Sequence, residues 1–233
     1  MKLGMIAWSA LAATVTLVAC GGGGGGPGNP PPSFPAVIRS FTFPAGNATA
    51  SPGTTAWDIV GVTTTLTDQF HSSDAYDTLR VDVTFVQDIS DALPAPGQQL
   101  SSAGTELGVQ VALDTDGNPA TGVYSGCDPT DPLRPFEYGS DQGNDPSRLA
   151  DGNYSIIDPQ GGPIYQGAPN PPAEAQTSVA GHVFSQTFFL PTVGILDGAA
   201  APKIGIAVAS FNGASGSPTD CMPAGSALEL FTN

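Results

Sequence analysis

The sequence contains few basic residues, few histidines and few cysteines. Its 233 residues include 6 Lys and Arg against 21 Asp and Glu, with 2 His and 3 Cys. A chain with a net charge of −15 repels nucleic acid and anionic lipid surfaces, which excludes both as partners of the folded part. The same charge attracts cations. Two histidines, His71 and His182, give little capacity for general-base catalysis.

Helical signals are also missing, because no ten-residue window shows an apolar stripe of helical period. The 30 Gly and 23 Pro residues further weaken helix interiors. By contrast, residues 79–85 alternate apolar and polar side chains, with Leu79, Val81 and Val83 on one face. Further strands are predicted at residues 38–43, 57–66, 107–113, 154–157, 183–190, 204–208 and 227–231. Such short strands predict an all-β fold in which two antiparallel sheets pack as a sandwich, with a closed barrel as the alternative.

The N-terminus carries one basic residue, Lys2, before an apolar stretch over residues 3–19. This stretch has the size of a signal peptide and is short for a membrane span. It ends in the sequence LVAC, whose last residue is Cys20, and it resembles the lipobox of bacterial lipoproteins. That resemblance implies cleavage before Cys20 and acylation of its thiol. It also implies residence at the outer membrane or cell surface, because no acidic residue follows the cysteine.

Residues 20–35 contain a run of six glycines followed by several prolines. Glycine-rich chain is flexible and proline-rich chain is extended, so this segment is predicted to be a disordered tether. A phosphate-binding loop is not supported, because no Lys-Ser/Thr pair follows the glycines. The predicted organisation is therefore a signal peptide at 1–19, a tether at 20–35 and a single β-sandwich domain at 36–233.

Cys127 and Cys221 remain once Cys20 is assigned to the lipid. Export to an oxidising compartment favours a disulfide between them, which would close a loop of about 95 residues and add roughly 4 kcal/mol. A metal–thiolate site and a catalytic thiol are the alternatives, and neither has companion residues nearby in the sequence.

An Asp-rich turn follows the predicted strand at 107–113. Asp114, Asp116 and Asn118 place three side-chain oxygens at alternate positions, an arrangement suited to a hard cation such as calcium. The same residues are good turn formers without any metal. The loop is not an EF-hand, because Pro119 and Ser125 stand at the sixth and twelfth positions.

The sequence LDTDGNPATG, together with the PFEY and TDCMP segments, resembles exported jelly-roll carbohydrate-binding modules. That resemblance implies a structural calcium held by Asp114, Asp116 and Asn118. Glu137 and Asp220 are further candidate ligands on the same basis. Four aromatic residues are candidates for stacking on sugar rings or, alternatively, for filling the core: Tyr124, Phe136, Tyr138 and Tyr165.

Three functions are weighed against these features. The first is a non-catalytic surface lipoprotein whose domain binds a glycan or an envelope protein or has a structural role. The second is a cell-surface carbohydrate-binding module. A glycan-active hydrolase is the third, and it is the least supported. The chain lacks a Gly-x-Ser-x-Gly motif, and sequence alone does not place two carboxylates at a catalytic separation.

Overall fold

The computed structural model describes the chain in several ranges, all of them strand or connecting loop. These ranges are residues 36–49, 53–67, 78–93, 106–114, 136, 138–141, 155–157, 175–189, 204–212, 218–222 and 228–229. Within these ranges no helix is long and apolar enough to span a membrane. The signal peptide and the tether predicted at residues 1–35 lie outside them.

The described residues form eleven strands in two antiparallel sheets, which confirms the predicted two-sheet fold. The first sheet has the order β1-β2-β3-β8-β7, and the second has the order β10-β9-β4-β5-β6 with β11 also paired to β9. The strands are β1 (Val37–Thr42), β2 (Ile59–Thr67), β3 (Thr78–Phe85), β4 (Leu107–Asp114), β5 (Tyr138–Asp141), β6 (Ser155–Ile157), β7 (Ala175–Ala180), β8 (Val183–Phe189), β9 (Gly205–Asn212), β10 (Pro218–Met222) and β11 (Leu228–Glu229).

The core lies between the two sheets and follows from the alternation of side chains along each strand. Leu79, Val81 and Val83 of β3 face inward from the first sheet, while Arg80 is exposed on the outer face. Strand β4 contributes a matching row from the second sheet. Burying a large apolar side chain of this kind stabilises the fold by roughly 1.5–3 kcal/mol. The core residues of β4 are Leu107, Val109, Val111 and Leu113.

Strand β4 differs from the half-buried strand that its sequence predicts, because seven of its eight residues are buried. The outer face of the second sheet carries small side chains, among them Ala112 and Ala207, and Phe136 packs against these two. A flat surface of small residues permits this close packing. The second sheet is therefore covered on both faces along β4, whereas the first sheet exposes polar residues on its outer face.

All eight predicted strands are present, and β5, β7 and β10 are additional. Strand β7 joins β8 through a two-residue turn at Gly181 and His182, where Gly181 has a φ of 58° that favours glycine. Strand β10 contains a register shift between Pro218 and Asp220. Such a bulge directs a side chain to a particular place, and in this protein it sits beside the polar cluster described next.

Candidate functional site

The most extensive polar cluster of the described residues lies where the start of β2 crosses β9 and β10. Ser210 donates its hydroxyl hydrogen to the carbonyl of Trp57 at 2.7 Å, and Thr219 contacts the same carbonyl at 3.4 Å. The backbone N–H of Ile59 donates to Asp220 Oδ2 at 2.7 Å. These side chains are buried, so each bond joins the two sheets away from water.

The loop between β1 and β2 is attached to β10 at the same place. The side-chain amide of Asn47 donates to Asp220 Oδ1 at 3.2 Å, and the backbone N–H of Thr49 donates to the carbonyl of Thr219 at 2.7 Å. This loop connects two strands of the first sheet, and its hydrogen-bond partners Thr219 and Asp220 belong to the second sheet. Thr219 and Asp220 therefore connect β10 to the β1–β2 loop and to the start of β2.

A second carboxyl group, that of Asp58, lies in the same cluster. Its Oδ2 accepts the backbone N–H of Gly46 at 2.6 Å, and its own N–H donates to the Gln87 side chain at 3.1 Å. Gln87 in turn donates to the carbonyl of Ala56 at 2.6 Å. Asp58 Oδ1 is buried and accepts no hydrogen bond from the described residues.

The electrostatics of the cluster are dominated by these two acidic residues. Asp58 is 5% exposed and Asp220 is 7% exposed. Burial raises the pKa of Asp220, the N–H groups of Ile59 and Cys221 lower it, and the adjacent Asp58 side chain raises it again. We name Asp58 and Asp220 the carboxyl pair. Both residues are bound by the β1–β2 loop, Asp58 through the N–H of Gly46 and Asp220 through the side chain of Asn47.

The carboxyl pair is poorly placed for catalysis. Two carboxylates that hydrolyse a glycosidic bond stand about 5–10 Å apart on either side of an accessible sugar. Here both groups are almost fully buried, and their hydrogen-bond donors come from the backbone and Asn47. In this arrangement Asp220 joins the two sheets through the backbone N–H of Ile59.

The structure does not bring together two of the predicted metal ligands, Asp114 and Asp220. Asp114 ends β4 opposite Gly205 of β9, whereas Asp220 pairs with Ser210 of the same strand. Five residues of extended strand separate these two positions by about 17 Å. The side chains of Asp114 and Asp220 also lie on opposite faces of the second sheet. Leu113 and Asp220 face the core, and Asp114, which follows Leu113 on β4, therefore faces outward. A single cation therefore cannot bind both residues.

Asp114 is nearly buried, at 9% exposed. Asp116, Asn118 and Glu137, the other predicted ligands, lie outside the described residues. Within the described ranges there is no group of three or more His, Cys, Asp or Glu residues placed to hold a metal ion.

The strand register adds two facts about the surroundings of Asp114. Leu113 pairs with Tyr138, the residue that follows Glu137 in the sequence. Gly205, the partner of Asp114, is paired on its other side with Glu229 of β11. Glu229 was not predicted as a site residue, since its position across β9 from Asp114 depends on pairing between distant strands.

Of the four candidate aromatics, Phe136 is 2% exposed and packs with Ala112 and Ala207. A ring buried to this degree packs on the outer face of the second sheet and does not offer its face to a sugar. Tyr138 begins β5. Tyr124 and Tyr165 lie outside the described residues, so the prediction for them stays open.

Cys221 is half-buried on β10, between Asp220, which bonds to the first sheet, and Met222, which belongs to the core. Strand alternation therefore places Cys221 on the outer face of the second sheet, in register with Ala209. Cys20 and Cys127 lie outside the described residues, and the predicted lipid attachment and disulfide stay predictions.

Sequence reasoning missed Asp58. It stands between Trp57 and Ile59 at the start of a predicted strand, where a lone acidic residue is ordinarily read as solvent-exposed. The two large apolar neighbours of Asp58 are the only local signal that this residue is buried.

Comparison of the chain with models of known protein families, with curated proteins and with solved structures gives no match. The described residues define the class of the protein as an all-β chain of two antiparallel sheets. The described residues do not assign the protein to a family.

Proposed function

We propose that the protein is a non-catalytic lipoprotein of the bacterial surface. In this proposal residues 1–19 are a signal peptide, Cys20 is acylated, and residues 20–35 tether a β-sandwich domain to the outer membrane. The observation that carries the proposal is the LVAC sequence at the end of the apolar N-terminal stretch. Two or three acyl chains hold a protein firmly, because each buried methylene contributes roughly 0.8 kcal/mol.

A non-catalytic role is supported by the structural function of the buried polar groups. Ser210, Thr219 and Asp220 form hydrogen bonds between the sheets, and Asp58 is buried beside them. We propose that the domain presents its loops to an envelope protein or has a structural role in the envelope. A glycan is the partner under the alternative function, a cell-surface carbohydrate-binding module.

A glycan array separates this function from that of a carbohydrate-binding module. We expect no glycan to bind the purified protein above background, because Phe136 is buried and offers no stacking face. Chemical cross-linking on intact cells is expected to join the protein to an envelope protein. Selective binding of one class of glycan, lost on substitution of Tyr124 or Tyr165 by alanine, would favour the carbohydrate-binding module instead.

A structural calcium is part of the proposal. The ligands would be Asp114, Asp116 and Asn118 from the Asp-rich turn, with Glu137 from the neighbouring strand. The pairing of Leu113 with Tyr138 supports this choice, because Asp114 and Glu137 each adjoin that pair in sequence. Asp220 is not included, because it lies on the other face of the sheet. Calcium in this position would stabilise a long loop in an acidic domain.

We expect chelation of calcium to lower the melting temperature. At a free calcium concentration one hundred times the Kd, binding adds about 2.7 kcal/mol, which corresponds to roughly 5–10 °C for a domain of this size. Melting is measured by circular dichroism with calcium and with EDTA. Asp114→Asn should abolish the difference, while the exposed Asp91→Asn should preserve it. An identical melting temperature in both buffers would exclude the metal.

A disulfide between Cys127 and Cys221 is also proposed, and the fold is compatible with it. Cys221 lies on the outer face of the second sheet, and Phe136 packs on that same face beside Ala207. Ala207 and Ala209, the partner of Cys221, are two residues apart on β9. Nine residues separate Cys127 from Phe136, and nine residues of extended chain span up to about 30 Å. A chain of that length is long enough for the proposed bridge to Cys221.

A further inference from the structure

Strand β1 is an edge of the first sheet. Its six residues pair with β2 in one continuous antiparallel register, from Val37 opposite Leu66 to Thr42 opposite Gly61. Among the described residues no strand pairs with the other side of β1. Alternate N–H and C=O groups of an edge strand point away from its sheet and can bind an additional strand. An extended peptide can therefore add to the first sheet at this edge.

The core-facing side of β1 is only partly covered. Val37 and Phe41 pack against the core but are only partly buried, and so is Phe43, which follows the strand. Their neighbours across the sheet, Leu66 and Val62 of β2, are fully buried. The difference arises because β1 has a neighbouring strand on one side only. A strand added at this edge would cover the exposed parts of Val37 and Phe41.

Arg39 lies on the same side of β1 as Val37 and Phe41, because side chains two positions apart in a strand share a face. It is half-buried, and its Nε is buried and has no hydrogen-bond partner among the described residues. The other arginine of the described residues, Arg80, is paired with Asp82 at 2.7 Å on the outer face. Arg39 is therefore a cation without an acidic partner at a half-open, apolar edge.

An inward-pointing charge on an edge strand acts against unwanted pairing. A strand that placed an apolar side chain against Arg39 would bury an unpaired guanidinium group, which is costly. Pairing of β1 with β1 of a second copy meets the same penalty, because the sequence VIRSFT contains no acidic residue. A strand with a carboxylate opposite Arg39 avoids this penalty and gains a charge-assisted hydrogen bond. Arg39 therefore favours an acidic strand over other strands.

We propose that the β1 edge binds an extended segment of an envelope protein, and that a Glu or Asp side chain of this segment pairs with Arg39. This inference rests on the proposed function, in which the partner is an envelope protein. The backbone of the segment forms a sixth strand beside the five strands of the first sheet. Its core-facing positions are apolar, acidic and apolar in turn, so that the apolar side chains cover Val37 and Phe41.

The probe is a set of three synthetic heptapeptides with capped ends. Val, a test residue and Val occupy the core-facing positions, Thr occupies the others, and the test residue is Glu, Gln or Lys. We expect the purified full chain to bind the Glu peptide about tenfold more tightly than the Gln peptide, because a hydrogen bond between charged groups is stronger than one to a neutral amide. The Lys peptide should bind more weakly than both, because its charge repels Arg39.

Binding is measured by titration of fluorescently labelled peptide with the protein. Hydrogen exchange of the complex should show slower exchange at alternate N–H groups of β1, since only these point toward the added strand. Both measurements use the unmodified protein, so they do not depend on the folding of any variant.

Arg39→Gln should remove the preference, so that the Glu and Gln peptides bind with affinities within about twofold of each other. Arg39→Glu should reverse it in favour of the Lys peptide. Arg80→Gln is the matched control, because it removes an arginine from the outer face of the same sheet. This control should bind the three peptides as the unmodified protein does.

Three results would overturn the proposal. The first is a Glu peptide that does not bind, or that binds no better than the Gln peptide. The second is a complex in which exchange slows in β7, the other edge of the first sheet, and not in β1. The third is pairing of two copies of the unmodified protein through β1. A Cys20 that takes up no palmitate would contradict the lipoprotein proposal and leave the peptide results unchanged, so the two failures are distinguishable.

Discussion

Cys20→Ser is expected to abolish acylation and to release the protein from the membrane fraction. A serine hydroxyl cannot form the thioether through which the diacylglycerol is attached, and the signal peptide that precedes it is processed differently. Without acyl chains, the tether and the acidic domain have no affinity for an anionic membrane, because their net charge repels it. We expect the unmodified protein to be membrane-bound and Cys20→Ser to be released completely.

The measurement is fractionation of cells that express each form, together with incorporation of labelled palmitate. Gly24→Ser is the matched control, because it places a serine in the tether and leaves the LVAC sequence intact. The control should retain both the label and the membrane association. Equal labelling of Cys20→Ser and the unmodified protein would show that the lipid, if present, is attached elsewhere.

Asp220→Ala is expected to cause the largest loss of stability among single substitutions in the polar cluster. The change removes the acceptor for Ile59, for Cys221 and for the side chain of Asn47. The Ile59 N–H would be left buried without a partner, and each such group costs about 1–3 kcal/mol. Relief of the repulsion from Asp58 offsets part of that cost. A net loss of about 3 kcal/mol is expected at neutral pH.

Urea unfolding measures this loss as a lower midpoint with an unchanged slope. Asp91→Ala is the control for removal of a carboxylate from an exposed position, and it should change stability by less than about 0.5 kcal/mol. A loss for Asp220→Ala no larger than that of the control would mean that Asp220 does not join the sheets in solution.

Much of the fold follows from local patterns. In β3 the alternation of Leu79, Arg80 and Val81 matches the alternation of buried and exposed positions in the structure. This works because one face of the first sheet meets the core and the other meets water. Strand β4 has a similar sequence pattern, but small residues let other chain segments cover its outer face. Burial on that face depends on residues far away in the sequence, such as Phe136.

Strand β10 shows why edge strands are difficult to predict. Its sequence, PTDCM, contains proline and aspartate, which disfavour a strand in isolation. It forms because β9 supplies hydrogen-bonding partners and because Asp220 reaches Ile59 of the other sheet. Tertiary contacts therefore stabilise β10 as a strand.

The candidate site was harder to predict than the fold. The sequence predicts that Asp220 is a calcium ligand, but that role would require Asp114 nearby. The two residues lie on opposite faces of the second sheet because their partners on β9, Gly205 and Ser210, are five residues apart, an odd number. Asp58 carried no motif at all. Its burial becomes evident only when the two sheets are placed against each other.

Mass spectrometry of the mature protein tests the central claim, that this is a lipid-anchored, exported β-sandwich, most directly. We expect a chain that begins at Cys20 and carries the mass of a diacylglycerol on that residue. We also expect an alkylating reagent to modify no thiol before reduction and two thiols, those of Cys127 and Cys221, after it. A mature chain that begins at any other residue, or that carries no lipid, would contradict the account.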